Sequence, residues 1–517
     1  MNQPSLPTQL SSTDVHPKAG VRRSVRGFLG EQLVVVLWSV IALLIAYRML
    51  GRATDDIYIT YRYAWNLAHG AGLVFNPGER VFGVTDPGVA LLLGWLHWIS
   101  RVEVPRLGSL LTAAWLVGAG RVLLRGAARN GLRLEGILGG TLLVTSPYLW
   151  TAQGAGPLAV LAFLLAAAAR AERWPTSAGL SAGLAVWMRP DAAPAAMLLG
   201  LLRGRLVGRF PRRYALVCGL VVLAGCVAAW SWFGTVVPNT LAAKRQFAAL
   251  GPELVGATPA VFWGRAWGLF RQQAGPLALP LAALGLAGQA WLWWRCGLPG
   301  KLLVLHAALT AVAYTFLGVP FFVWYAAPAA AALLFAIPFP LVALARRAGG
   351  FRLAALLAAA LALAPLLGTV RWLHDGGRGD WRLPAYRAAG SWLREHTPPD
   401  ATVAADEIGI LAYTSRRRVV DLIGLVSPEA MPYAAAGDLV GAFLARPADY
   451  LLFHSFTRRG GSRPIVTKPW FDDAYEAAVR LRLAQPPGTV TIYRRRPGAP
   501  LPPRRPPRQR SAIIPNG

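Results

Sequence analysis

Long apolar runs separated by clusters of arginine are the feature that most constrains what this chain can fold into. Apolar residues make up 55% of the 517 residues and charged residues only 15%. An ordinary globular chain has roughly 25% charged residues. The mean hydropathy is +0.42. These values exclude a disordered chain, a coiled coil and a typical cytosolic enzyme, and they indicate a polytopic α-helical membrane protein.

The strong positive charge fits a membrane protein better than a nucleic-acid-binding protein. The formal net charge is +29, and only four of the 53 basic residues are lysines. The arginines form clusters between apolar runs, which is the pattern of membrane topology, whereas nucleic-acid binding needs basic residues on one folded face. The three cysteines have neither metal-ligand nor disulfide spacing, so we interpret them as packing residues.

The apolar runs predict about eleven membrane spans within residues 33–370. Their basic flanks alternate as the positive-inside rule requires, which makes residues 1–32 a cytoplasmic tail and residues 51–100 the first outer loop. The spans are Leu33–Leu50, Leu107–Arg125, Leu134–Trp150, Pro157–Arg170, Ser177–Met188, Ala192–Leu202, Tyr214–Gly234, Pro276–Trp294, Leu302–Val319, Ala326–Leu344 and Leu353–Val370.

One pair of these spans has a second interpretation, and one further apolar run is not counted as a span. Ser177–Met188 and Ala192–Leu202 are short for spans, and they flank the polar residues 189–191. They could instead form one broken or re-entrant pair whose polar turn lines a cavity. Pro87–Ser100 has only 14 residues, so we expect a half-buried helix at the outer surface rather than a span.

The C-terminal part has a different pattern. An odd number of spans puts residues 371–493 on the outer face, where helix and strand patterns alternate. Ala385–Glu395 is helix-like, and four short runs are strand-like: Thr402–Ala405, Val419–Leu422, Tyr450–Phe453 and Thr489–Tyr493. We therefore predict a small extracytoplasmic α/β domain. Residues 494–517 are rich in Pro and Arg and are predicted to be disordered.

The strongest candidate for chemistry is the adjacent pair Asp55 and Asp56, directly after the first span. The alternative is a solvated helix cap. The following loop combines carboxylates, aromatic rings, amides and turn residues within about thirty positions, a mixture that suits a sugar site. On a helix the two side chains point about 100° apart, so one could face an acceptor while the other orients a base, a metal or the helix start.

Residues 55–87, DDIYITYRYAWNLAHGAGLVFNPGERVFGVTDP, resemble the first outer loop of the polytopic GT-C glycosyltransferases. Within that superfamily they resemble the bacterial group that includes the mycobacterial terminal arabinofuranosyltransferase. Residues 232–244 (WFGTVVPNTLAAK), 187–190 (WMRP), 323–325 (VWY) and 384–428 also resemble motifs of this group, in the same order along the chain. The resemblance does not identify the sugar.

The resemblance implies a mechanism and a set of site residues. A sugar on a membrane-embedded polyprenyl phosphate would be transferred with inversion, and an outer-loop carboxylate would deprotonate the acceptor hydroxyl. Asp55 is the expected base, and Asp56 would assist it or hold a metal. Three basic residues are expected to contact the donor phosphate: Arg62, Lys244 and Arg189. The full set of expected substrate-binding residues is Arg62, Asn76, Glu79, Arg80, Arg189, Asn239, Lys244, Trp324 and Tyr325.

Simpler roles are open for several of these residues. Lys244 could be an interfacial lysine, and Trp324 and Tyr325 could belong to an aromatic belt. Asn76, Glu79 and Arg80 could only fold the loop.

The chain departs from the group at two places. Residues 153–157 (QGAGP) replace the group's G-M-E-T stretch, so a carboxylate is missing, and Phe82 and Val84 replace residues of G-E-R-V-E-G-Y-T. Asp86 could compensate, although a turn or helix cap before Pro87 is its simpler role. The departures keep an inactive glycan-binding scaffold open as an alternative to the enzyme.

A transporter or flippase of lipid-linked sugars is a further alternative, but the acidic residues cluster in outer loops rather than at mid-span. The expected partners are a polyprenyl-phosphate sugar donor, an envelope glycan or glycolipid acceptor and membrane lipid. No cofactor or metal site is assigned, and a divalent cation is left open. The expected location is the bacterial cytoplasmic membrane, with the active face outward.

Overall fold

The computed structural model describes residues 25–249, 258–374, 380, 382–455, 462–483, 488–504 and 506–507. Most of the predicted cytoplasmic tail (residues 1–24) and the end of the predicted C-terminal tail (residues 508–517) lie outside the described residues. The described part has a helical region up to His374 and a smaller region with a sheet after it.

The helical region contains sixteen α-helices among the described residues. Several begin with proline in their first turn, where the missing N–H costs no hydrogen bond. The helices are α1 (Val25–Arg48), α2 (Asp55–Ala68), α3 (Pro87–Ser100), α4 (Val104–Ala128), α5 (Arg133–Thr145), α6 (Pro147–Thr151), α7 (Gly156–Arg170), α8 (Pro175–Met188), α9 (Ala193–Val207), α10 (Arg212–Phe233), α11 (Thr240–Ala249), α12 (Pro259–Ala274), α13 (Ala278–Arg295), α14 (Gly297–Phe316), α15 (Ala327–Ala336) and α16 (Pro338–His374).

Six helical stretches among the described residues are long and apolar enough to cross a membrane: Leu29–Arg48, Val104–Ala128, Arg212–Phe233, Pro259–Arg295, Gly297–Phe316 and Val323–Ala348. Helix α10 is an example of such a helix, and almost none of it is buried within the protein. Its exposed Leu216, Leu223 and Trp230 would face lipid. The predicted count of about eleven spans is not confirmed, because several apolar helices are too short to cross on their own.

The chain breaks where the sequence placed the polar residues 189–191. Helix α8 ends at Met188, a single 3-10 turn covers Pro190–Ala192, and α9 starts at Ala193. The two helices have 14 and 15 residues, each shorter than the roughly 20 that a span needs. The structure therefore has a break at the polar residues 189–191, with a short helix on each side.

Helix α3 confirms the expected half-buried helix. It covers Pro87–Ser100, as predicted. Val89 and Leu93 are buried on one face, whereas Trp95 and Trp98 are exposed on the other.

The membrane helices pack closely where small residues meet a large ring. The Trp38 ring on α1 lies against Gly140 on α5, and a Cβ at Gly140 would be 2.1 Å from the ring. The Trp38 indole nitrogen donates to the Thr141 hydroxyl at 3.0 Å. Because Gly140 has no side chain, the indole can enter between the helices.

The C-terminal region is a mixed α/β unit, here called the sheet domain. It contains α17 (Leu383–His396), β1 (Thr402–Ala405), α18 (Gly409–Ser415), β2 (Arg418–Asp421), α19 (Met431–Ala435), α20 (Leu439–Ala445), β3 (Tyr450–His454), α21 (Arg463–Val466), α22 (Phe471–Ala474), β4 (Tyr475–Leu483) and β5 (Gly488–Arg495).

The five strands form one sheet in the order β2-β1-β3-β5-β4. β1 pairs with β2 and β3 in parallel, whereas β5 pairs with β3 and β4 in antiparallel. The four predicted strand runs are present. The sequence analysis missed β4, since its charged positions weaken the alternation typical of a strand.

The predicted disorder of residues 494–517 is wrong for residues 494–504. Arg494 and Arg495 complete β5. Leu501 packs against a hydrophobic cluster of the sheet domain that contains Phe443 and Phe471. Arg504 donates to the Tyr433 hydroxyl at 2.8 Å. A composition rich in Pro and Arg therefore did not prevent packing where an apolar surface was available.

The Trp38 contact gives a matched prediction. Gly140→Ala should lower stability by about 1–3 kcal/mol, because the added methyl group would overlap the buried indole. Gly118→Ala is the control, since a Cβ there meets nothing within 4 Å and alanine favours helix. The thermal unfolding midpoint in detergent measures both. Equal midpoints for the two variants would contradict the close contact.

Candidate functional site

Residues 49–86, which include α2 and precede α3, are called the first loop from here on. A cavity lies between this first loop, the α8–α9 break and the start of α11. Residues from six parts of the chain line it: Asp56, Ile57, Ile59, Thr60, Gly83, Thr85, Asp86, Ala155, Arg189, Thr240, Lys244, Trp324 and Leu425. Four of the predicted site residues are in this set: Asp56, Arg189, Lys244 and Trp324. The structure thus brings these four residues together, although Asp56 and Trp324 are 268 positions apart in the sequence.

An ion pair joins the two sides of the cavity. The Lys244 ammonium donates to the Asp56 carboxylate at 2.9 Å across 188 residues. The two side chains are only 16% and 26% exposed. Burial disfavours the charged lysine, but the Asp56 carboxylate outweighs that effect and raises the pKa of Lys244. Lys244 is therefore a cation at neutral pH.

Three aromatic rings surround the same ammonium group. Its nitrogen lies 4.2 Å from the ring centre of Phe322, 5.6 Å from that of Trp324 and 5.9 Å from that of Tyr325. Ring faces attract a cation without neutralising it. The ammonium is thus fixed in position, with one carboxylate as its ionic partner.

Arg189 is held in a buried network of its own. Its guanidinium donates to Asp86 at 2.9 Å, to Asp191 at 2.8 Å and to the Tyr314 hydroxyl at 3.1 Å. The Tyr314 hydroxyl in turn donates to Asp191. The Tyr314 ring stacks on Tyr325 with centres 4.0 Å apart. Because two carboxylates balance one guanidinium, Arg189 acts mainly as a fixed part of the wall.

Asp86 occupies the space beside the stretch that departs from the family pattern. Its carboxylate accepts a hydrogen bond from the Gly156 N–H at 2.9 Å, at the start of α7. A Cβ at Gly156 would be 2.8 Å from the Asp86 carboxylate. Residues 153–157, which lack the carboxylate of the group, thus lie against the Asp86 carboxylate, which enters from the first loop.

Asp55 does not line the cavity. It is 1% exposed. Its two carboxylate oxygens accept hydrogen bonds from the N–H groups of Gly409 and Ile410, at 2.9 and 2.8 Å. Its own N–H donates to Asp380 at 3.0 Å. Asp55 thereby joins the start of α2 to the start of α18 in the sheet domain.

A small charged cluster surrounds Asp55. Burial raises its pKa to about 6, although Arg382 and the two N–H groups oppose that rise. Arg382 also pairs with Asp380 at 2.7 Å and with Glu407. Burial likewise raises the pKa of Glu407. For Asp380, the Arg382 hydrogen bonds and charge outweigh burial, and its pKa is lowered.

Three predicted residues fold the first loop instead of facing the cavity. Asn76 donates to Val419 O at 2.9 Å and accepts from Val419 N–H at 3.0 Å, so its amide continues the sheet beyond the edge strand β2. Glu79 pairs with Arg418 at 3.1 Å and with Arg446. Arg62 is buried and donates to Phe75 O at 3.1 Å.

The remaining predicted residues support the cavity from outside. The Arg80 guanidinium lies 4.3 Å above the Trp232 ring. The Asn239 N–H donates to Phe82 O at 2.8 Å, which ties the loop before α11 to the first loop. Tyr325 lies under Arg189 and beside Lys244, outside the lining itself.

The sequence analysis did not assign Asp191, Tyr314 or Phe322 to the site. Asp191 is two residues from Arg189 and could have been paired with it from the sequence. Tyr314 and Phe322 gave no such signal, because aromatic residues near helix ends are common in membrane proteins.

The structure shares its fold with two solved proteins, in agreement with the GT-C fold that the sequence resemblance implied. ArnT from Cupriavidus metallidurans, bound to undecaprenyl phosphate, is 14% identical with a TM-score of 0.53, over 91% of this chain and 98% of ArnT. An oligosaccharyltransferase from Archaeoglobus fulgidus, in complex with zinc and sulfate, is 15% identical with a TM-score of 0.50, over 80% of this chain and 67% of that one.

Other comparisons add less. The arabinofuranosyltransferase AftD from mycobacteria is 14% identical with a TM-score of 0.40, over 90% of this chain and 40% of AftD. Residues 378–495 match a domain of unknown function, DUF8728. A comparison with curated protein sequences finds no match.

The environment of Asp55 predicts a pH effect on stability. Its folded pKa of about 6 exceeds the ordinary 3.8, so the folded protein binds this proton more tightly than the unfolded chain does. Stability should therefore fall as the pH rises from 3.8 to about 6, by at most about 3 kcal/mol. Asp55→Asn cannot titrate and should show a smaller fall.

Thermal unfolding midpoints across this pH range measure the difference. Asp472→Asn, at an exposed position, is the control and should keep the wild-type slope. Parallel profiles for the wild type and Asp55→Asn would contradict a raised pKa at this carboxyl group.

Proposed function

We propose that this protein is an integral-membrane glycosyltransferase that moves a sugar from a polyprenyl phosphate to an acceptor hydroxyl at this cavity. The observation that carries the proposal is the contact between Asp56 and Lys244, a carboxylate and a fixed ammonium in one polar cavity. The fold shared with ArnT, whose structure contains undecaprenyl phosphate, supports a polyprenyl-phosphate partner.

Lys244 is the proposed contact for the donor phosphate. As the sugar leaves, the phosphodiester becomes a monoester and gains negative charge. Lys244 is the cation that can balance this charge, because among the described residues it forms an ion pair with Asp56 alone, whereas Arg189 is already balanced by Asp86 and Asp191. Binding of the phosphate to Lys244 would release Asp56 from its ion pair.

Asp56 is then the proposed general base. Its carboxylate takes the proton of the acceptor hydroxyl, and the acceptor oxygen forms a bond to the anomeric carbon. The bond between that carbon and the phosphate oxygen breaks, and polyprenyl phosphate leaves with the electron pair. Attack from the face opposite the leaving group inverts the configuration.

Asp55 takes a different role from the one that the resemblance implies. Both of its oxygens are occupied by backbone N–H groups, so we propose that it positions α2 instead of accepting a substrate proton. Since Asp56 is the next residue, any movement of the Asp55 contact would move the base.

Trp324 and the hydroxyl groups of Thr60, Thr85 and Thr240 are proposed to hold the sugar. An aromatic ring can pack on the C–H face of a sugar, and hydroxyl groups exchange hydrogen bonds with it. Arg189 and Tyr325 would keep this wall rigid. Within the described residues there is no group of three or more His, Cys, Asp or Glu that could hold a metal ion.

The proposed location is the bacterial cytoplasmic membrane, with the first loop and the sheet domain on the extracytoplasmic face. The arginine clusters between the apolar helices support this orientation through the positive-inside rule. The proposed acceptor is an envelope glycan or glycolipid. A pentose such as arabinofuranose is the sugar closest to the resemblance, and hexoses are the other class.

A transfer assay with a panel of short-chain polyprenyl-phosphate sugars tests the proposal. Purified protein in detergent should use one donor. Asp56→Asn should lower kcat by about 100- to 10,000-fold, because the base is lost while the shape is kept. Lys244→Met should remove the phosphate contact and lower kcat/KM by a similar factor.

Asp472→Asn is the control for an exposed carboxylate and should retain wild-type turnover. Unfolding midpoints for each variant separate a lost function from a lost fold. Donor binding without turnover would favour the inactive scaffold, and counterflow of lipid-linked sugar in vesicles without transfer would favour the flippase. Full activity in Asp56→Asn would overturn the assignment of the base.

A further inference from the structure

A second cavity, of about 460 Å³, lies at the seam between the helical region and the sheet domain. It is lined by residues that directly follow α1, by the start of α4, by one face of α2, and by residues on or next to α17 and α18. Its lining includes Tyr58, Glu103, Arg106, Arg387, Arg394 and Arg416. None of the site residues that the resemblance implies lines this cavity, and the proposed transfer reaction does not involve it.

Helix α2 separates the two cavities. Tyr58 lines the second cavity, whereas Asp56 and Thr60 line the first. Tyr58 is two residues from each of them, which corresponds to a rotation of about 200° around a helix. The two cavities therefore face opposite sides of the same helix.

The second cavity carries an excess of positive charge. Four arginines and one glutamate are among its lining residues. The Glu103 carboxylate accepts a hydrogen bond from the Tyr413 hydroxyl at 2.9 Å. Grouping like charges around a partly enclosed space is unfavourable unless an anion enters it.

Arg416 points to the same conclusion independently. Its guanidinium carbon lies 3.9 Å from the ring centre of Trp65 and 4.0 Å from that of Tyr413. One of its terminal nitrogens, Nη1, is buried and has no hydrogen-bond partner among the described residues. The charge of Arg416 is thereby held next to the second cavity, where an anion can approach it.

Arg387 contributes to the opposite wall. One of its terminal nitrogens donates to Gly51 O at 2.5 Å and to the Tyr58 hydroxyl at 2.8 Å. These bonds fix the guanidinium next to the cavity. A planar guanidinium held in this way is suited to phosphate.

The position of the cavity relates it to the membrane surface. Leu50 and Gly51 follow α1, and Glu103, Pro105 and Arg106 are at the start of α4. Stretches of both helices are long and apolar enough to span the membrane. The ends of such spans lie at the level of the lipid headgroups.

We propose that the second cavity binds a phosphate group, held by Arg106, Arg387, Arg394 and Arg416. The shared chemistry is an anionic phosphate ester or free phosphate. It can be supplied by an anionic lipid headgroup or by a soluble phosphate. This site is separate from the donor phosphate at Lys244, and the proposal holds whether or not the chain transfers sugar.

Ligand-dependent unfolding midpoints of the full chain in an uncharged detergent test the site. The probes are inorganic phosphate, dihexanoylphosphatidylglycerol and the zwitterionic dihexanoylphosphatidylcholine. Phosphate or phosphatidylglycerol should raise the midpoint in a saturable way, because a ligand that binds the folded state stabilises it. Tighter binding of phosphatidylglycerol than of phosphate assigns a lipid headgroup, and equal binding assigns a soluble phosphate.

The double variant Arg106→Gln/Arg394→Gln should weaken this binding by about tenfold or more, because charge-assisted hydrogen bonds are lost. Both residues are exposed, so the unliganded midpoint should stay near that of the wild type. Arg482→Gln, at an exposed position on β4, is the control for general charge and should bind as the wild type does.

Three outcomes would overturn the proposal. They are no saturable stabilisation by either anionic probe, equal stabilisation by phosphatidylcholine, and unchanged binding in the double variant. Because the readout is binding, failure of the transfer assay leaves this test unaffected.

Discussion

The buried carboxylate of Asp55 is the interaction on which the arrangement of both regions depends. It accepts hydrogen bonds from two N–H groups at the start of α18, and its own N–H donates to Asp380. A buried carboxylate needs such partners, since leaving it unpaired would cost several kcal/mol. The start of α2 is therefore fixed against the sheet domain, and the side chain of the next residue, Asp56, is directed into the first cavity.

Two adjacent carboxylates have different environments for this reason. Asp55 is surrounded by N–H groups and one arginine, and its burial raises its pKa to about 6. Asp56 is partly exposed and pairs with a lysine that is surrounded by aromatic rings. A helix turns about 100° per residue, so neighbours in sequence enter different surroundings. The same geometry puts Tyr58 on the wall of the second cavity.

Much of the fold could be predicted from local patterns. The 14-residue helix α3, the break at Pro190 and four of five strands follow from hydrophobic periodicity and proline chemistry. Local patterns did not predict the number of spans. An apolar helix such as α7 is too short to cross the membrane alone and is buried among other helices. Strand β4 and the packing of Leu501 depend on partners distant in sequence.

The sequence alone indicated a polytopic membrane protein with a GT-C resemblance, and it singled out four of the residues that line the first cavity: Asp56, Arg189, Lys244 and Trp324. Only the tertiary structure decided which of two neighbouring aspartates faces the cavity, and that Asn76 and Glu79 bind the sheet domain. The physical reason is that residue type sets what a side chain can do, whereas its partners come from segments up to several hundred residues away. Asp55 meets two N–H groups and joins the helical region to the sheet domain, whereas Asp56 meets a fixed ammonium group in the first cavity.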